Sequence, residues 1–268
     1  MFRCVCLSTL LRLAAHVCMA EDQPLPLDEE QLRSAEFIED LSIPDPGELF
    51  TAFSKAGKPD WSAFFRKEPP TPHRSRPLIA LNLGTRIADG FLAAEAQDRQ
   101  QVKNVSMEIK LLAKSLGIEQ EFVGRNNSIA AFADNRQWDA LDEELEAVQG
   151  ELAAAMSTQH DNHLVTLMSL GCWLRSVEIA SAHLAADSTT ARAKLLRLPG
   201  IGAFFIECLG SMPARIKSIP VVAELQQRLP SLDAALSLPQ ESPPSDESLT
   251  AMRDLVNGMI NLITSPEK

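Results

Sequence analysis

The sequence predicts an all-α protein, a multi-helix bundle or short helical array. Three observations carry this. Apolar residues recur at helical steps of three and four in one segment after another. Only 12 residues are glycine and no run alternates apolar with polar, so sheets and hairpins find no support. Two long segments, Leu78–Gln97 and Leu164–Ala186, are apolar over most of a helical circumference, which means burial on several sides.

The chain opens with Met1–Ala20, which carries Arg3 and Arg12 and no acid. An apolar run, Val5–Val17, leads into Cys18-Met19-Ala20, and Glu21-Asp22 begins ordinary acidic sequence. That layout predicts an export signal cleaved near Ala20, hence a periplasmic or secreted protein. Two other readings stay open: organelle import, favoured by Ser8, Thr9 and the two arginines, and a cytoplasmic protein that starts at Met19. Residues 21–75 read as an N-terminal helical arm. It has short helices over Asp28–Ser42 and Pro46–Lys55, a further turn at Ser62–Lys67, and a basic, proline-rich, extended connector from Arg66 to Pro77.

Residues 76–236 form the expected core. Val102, Val105, Ile109, Leu112 and Leu116 make one apolar stripe, with Asp98 placed to cap its helix and Gly117 to close it. Trp138, Leu141, Leu145, Val148, Leu152 and Ala155 make a second stripe of coiled-coil-like spacing. The two all-round apolar segments belong at the centre, with the striped helices around them. A shift of 89 positions lays Leu81 on Leu170, Arg86 on Arg175 and Asp89 on Glu178, which suggests a duplicated helical hairpin. Residues 237–245 are a Pro/Ser-rich linker. Residues 246–268 hold a last helix, Asp246–Thr264, striped by Leu249, Met252, Val256, Met259 and Ile263 and capped by Ser245 or Asp246, and a short tail.

A net charge of −11 argues against general nucleic-acid binding. No second membrane span is expected, because Leu78–Gln97 carries Arg86, Asp89 and Glu95. Loss of the first twenty residues leaves Cys172 and Cys208, either a disulfide or two buried thiols. The strongest polar signal is a repeated step: Arg86 with Asp89, and Arg175 with Glu178. Each pair lies on one helical face inside apolar sequence, so burial must be compensated by pairing. The favoured reading is a structural ion-pair network. The functional alternative is a polar spot that holds a small ligand.

His160 and His163 are the only metal-like pair, with His183 or Glu178 as further candidates. They fall where one helix ends and the next begins, a place for exposed histidine. Leu198-Pro199-Gly200-Ile201-Gly202 resembles the turn of helix-hairpin-helix DNA-binding modules, in which turn amides hold a phosphate. Apolar and acidic residues follow here, so it reads as an ordinary helix–helix turn. Asn104-Val105-Ser106 and Asn126-Asn127-Ser128 match glycan acceptor sites. There is no Gly-x-Ser-x-Gly elbow, phosphate loop or His-Glu-x-x-His. The expectation is a non-catalytic binding or scaffold protein without cofactor, working through a protein partner or self-association. The alternatives are a ligand- or metal-dependent protein using the four central charges or the histidines, and a carrier of apolar molecules.

Overall fold

The computed structural model describes residues 45–57, 59–66, 73–186, 194–196, 199–237 and 245–266. The expected signal, the Asp28–Ser42 helix, half of the proline-rich connector (67–72) and most of the 237–245 linker lie outside these residues. Within them the chain is all-α, with ten α-helices, two short 3-10 turns and no strand. The helices are α1 (Pro46–Ala56), α2 (Arg76–Glu95), α3 (Arg99–Leu116), α4 (Glu119–Asp134), α5 (Trp138–Thr158), α6 (Asn162–Ala186), α7 (Ile201–Ser211), α8 (Ala214–Lys217), α9 (Pro220–Leu236) and α10 (Asp246–Thr264).

From α2 to α5 each helix packs on the next, and α6 returns to lie along α2. These are the two all-round apolar segments, and they are the centre. In α2 every residue from Leu78 to Ala94 is buried. The span Asn162–Leu184 is long and apolar enough to cross a membrane, yet 78% of that window is buried inside the fold. Helix α1 packs on α2 and α6, and α10 packs on α6, α9 and α2. The buried Asn82 side chain donates to Ile263 O at 2.8 Å, satisfying a carbonyl that the end of α10 leaves open.

The central crossing is closer than ordinary side chains permit. A Cβ added to Gly84 would stand 1.8 Å from Met168 O, and one added to Gly171 would stand 2.1 Å from Leu81 O. The two helices therefore meet backbone to backbone and enclose no cavity at this point. The contact is reciprocal, relating Leu81 to Met168 and Gly84 to Gly171. Both spacings are two residues shorter than the 89 that aligns the two sequences, so the crossing does not follow that register.

Four corners of the array share one geometry. Gln97, Gly117, Arg136 and His160 all have left-handed backbone, with φ of 54°, 76°, 57° and 59°. At each corner the N–H of the following residue reaches back to a carbonyl of the helix just finished. This is the helix-ending pattern that glycine adopts at least cost, and three of the four positions are not glycine. Asp98 caps α3 as expected, accepting from Gln101 N at 2.9 Å. Helix α2 starts at Arg76 with Pro77 in its first turn, so this proline belongs to the helix and not to the connector. A helix-start amide is unpaired in any case, and proline lacks only that donor. Helix α4 is the element the sequence did not announce, since its apolar stripe is weak.

Candidate functional site

Three of the four charges singled out in the sequence are buried, and Glu178 is half-buried beside them. The structure brings all four together. Arg86 Nη1 donates to Asp89 Oδ2 at 3.1 Å, and Arg175 Nη1 to Glu178 Oε2 at 2.6 Å, each within its own helix. Arg175 Nε also donates to Asp89 Oδ1 at 2.7 Å, which ties α6 to α2. One Asp carboxylate thus joins two helices that each carry their own pair.

Two further residues complete the cluster. Arg66 reaches Asp89 Oδ2 through Nε at 3.0 Å and Nη2 at 2.6 Å, and donates to Thr85 O at 3.2 Å. Glu108, on α3, stands 3.3 Å from Arg86 Nε. Arg175 Nη2 donates to Phe64 O at 2.7 Å, which ties the Trp61–Phe64 turn to α6. Neither residue had a local signal. Arg66 lies 23 residues before its carboxylate, and Glu108 sits beside an apolar stripe like any surface acid.

Three guanidiniums face three carboxylates, and this balance decides the chemistry. Burial works to raise the Asp89 carboxyl, but Arg175, Arg66 and Arg86 outweigh it and hold the group at about 2. Burial, with help from Arg175 and Arg86, lowers Arg66 to about 10 against the pull of Asp89. Burial pushes Glu108 up. A carboxylate held at about 2 is a poor base near neutral pH, and guanidiniums do not release protons. Both Asp89 oxygens are already occupied by arginine donors. The arrangement can lock helices; it offers a substrate no free acceptor on Asp89.

The histidines do not form a site. His160 lies outside the helix, in a left-handed corner at φ 59°, so the spacing of three does not place it on one face with His163. Asp161 between them forms an ion pair with Arg76. His183, the proposed third ligand, is buried in a box of Phe53, Trp61 and Phe64, with ring centroids at 5.7, 5.9 and 6.3 Å. Among the described residues no group of three His, Cys, Asp or Glu side chains assembles to hold a metal ion.

Cys172 and Cys208 are both free, which removes the disulfide. Burial raises the thiol of each, so neither is an activated nucleophile. Leu198 lies outside the described residues, and Pro199–Gly202 leads into α7 as a helix start. Gly200 is left-handed at φ 86°, and Asp233 of α9 takes the Ala203 N–H at 3.2 Å. An acid sits where a bound phosphate would have to sit. Of the two glycan triplets, Asn126 is engaged by Ser106 Oγ at 2.6 Å across α3 and α4.

Comparison with family models, curated proteins and solved structures gives no match for this chain.

Proposed function

We propose that this is an exported helical binding or scaffold protein that acts through its surface, in the first place on a second copy of itself. The observation that carries the reading is the closed hub. The residues most able to do chemistry are spent on one another, and Asp89 alone takes four N–H donors. What remains outward includes Met107 and Leu111, 56% and 61% exposed, one turn apart on α3. Lys110 and Lys114 flank them, and in a chain of net charge −11 a cationic rim complements the acidic surface of another copy. Sedimentation equilibrium tests this. The average mass should rise with concentration for the wild type and stay monomeric for Leu111→Glu; a wild type that is monomeric throughout sinks the reading. Export is tested separately by the mass of the secreted product, which should begin at Glu21.

A further inference from the structure

The arginines of the hub are all partnered; at the end of α2, two arginines that stand together are not. Among the described residues, the side chains of Arg99 and Arg136 make no hydrogen bond or ion pair. Both are exposed and line an open surface cavity of 760 Å³ at the end of the array where α2 and α4 finish and α3 and α5 begin. Lys103 and Trp138 line it too, with Asp98 and Asp134. The two acids are committed: Asp98 accepts from Gln101 N at 2.9 Å, and Asp134 accepts from Lys103 Nζ at 2.6 Å. Helix α5 starts at Trp138 with no side-chain cap from Gln137, so its first amides add positive character on the same side.

The backbone sharpens the point. Arg136 stands at φ 57°, in a corner that the end of α3 fills with Gly117. The chain therefore carries a guanidinium where glycine would be easier. Trp138 is half-buried, whereas Trp61 and Trp173 are 5% and 4% exposed. A cavity with two unpaired guanidiniums and a reachable indole matches a ligand with an anion at one end and a flat or apolar body at the other.

We propose that this cavity binds a small phosphate monoester, its phosphate held by Arg99 and Arg136 and its body against Trp138. A phosphate presents three oxygens and can serve two guanidinium forks, whereas a carboxylate presents two. The volume lies within the range of about 300–1,000 Å³ that small-molecule sites occupy. This site uses the first turns of α3, ahead of the Met107 and Leu111 surface, and its binding does not depend on self-association.

The test titrates the full chain with phenyl phosphate, inorganic phosphate and phenol, followed by calorimetry and tryptophan fluorescence. Phenyl phosphate should bind and quench emission, inorganic phosphate should bind about tenfold more weakly, and phenol should not bind. The quench should vanish in Trp138→Phe. Arg136→Gly should weaken binding about tenfold while leaving the melting temperature unchanged or higher, because it removes charge and relieves the left-handed corner. Arg99→Ala, at an exposed helix start, should weaken it similarly. Three results would overturn the site: no heat or quench with phenyl phosphate, phenol binding as tightly, or undiminished binding in both arginine variants. Equal affinity for inorganic and phenyl phosphate would overturn the role of Trp138.

Discussion

Asp89 takes donors from three arginines, and they are not equivalent. Arg175 also carries Glu178 and Phe64 O, so its loss takes the interhelical donor from Asp89 and in addition strands a half-buried carboxylate and a carbonyl. Arg66 is more peripheral, with a side chain 17% exposed against 5% for Arg175, and its removal strands no second carboxylate. Arg175→Met should therefore cost about 3–5 kcal/mol in denaturant unfolding, and Arg66→Met about 1–2 kcal/mol. Equal costs would mean that the three cations share Asp89 evenly, against the geometry. A second residue works in the opposite sense. Asp142 lines a 400 Å³ cleft with Asp45, Glu48, Glu143, Glu146 and Lys55. Burial, then Glu95, Asp45 and Asp139, raise its carboxyl to about 7. Its folded value lies above its unfolded one, so the folded state binds the proton better and gains stability as pH falls through 7. Asp142→Asn should raise the melting temperature most at pH 8, less at pH 5, and not at all below the unfolded value of 3.8; a pH-independent effect would mean the acid is not coupled to folding.

At the scale of elements, the two glycines of the central crossing set how closely α2 and α6 approach. A methyl group at Gly84 or Gly171 meets backbone, which cannot step aside as a flexible side chain does. Gly84→Ala should cost about 3 kcal/mol or more by forcing the helices apart, and Gly124→Ala, with open space around it, supplies the control. A small loss at Gly84 would show that the pair can slide. The left-handed corners give the reverse expectation. A non-glycine residue there costs about 1–2 kcal/mol, while glycine loosens the unfolded chain by about 0.4–1 kcal/mol. The first effect is larger, so His160→Gly should stabilise the fold by about 0.5 kcal/mol in thermal unfolding. The same variant removes the supposed metal ligand, so a gain in stability and a loss from the histidine proposal are read in one measurement.

For the whole molecule the hub predicts an acid limit. Asp89 is held at about 2, against an ordinary value of 3.8. Its folded value is depressed, so its contribution is present above about pH 4 and is lost as pH falls from there through about 2. Equilibrium unfolding followed by circular dichroism should show that loss in the wild type and less of it in Arg175→Met, which has already weakened the pairing. Much of this architecture was legible beforehand. The stripes through Val102–Leu116 and Trp138–Ala155 exist because a half-buried helix must place apolar groups every three or four residues, and that rule is local. So was the pairing of Arg86 with Asp89, since a charge inside an apolar helix needs a neighbour one turn away. Helix α4 was not legible, because its apolar periodicity is weak and its place is given by α3 and α5. Arg66 and Glu108 were not legible either, because their partners are distant in sequence. By itself the sequence determined the class of fold, its two central rods and the four charges they carry, all consequences of helical period and the cost of burying charge. Tertiary structure alone decided that Asp89 would join the rods, that Gly84 and Gly171 would let them touch, and that Arg99, Arg136 and Trp138 would share a cavity, because these depend on distances between segments that no local pattern encodes.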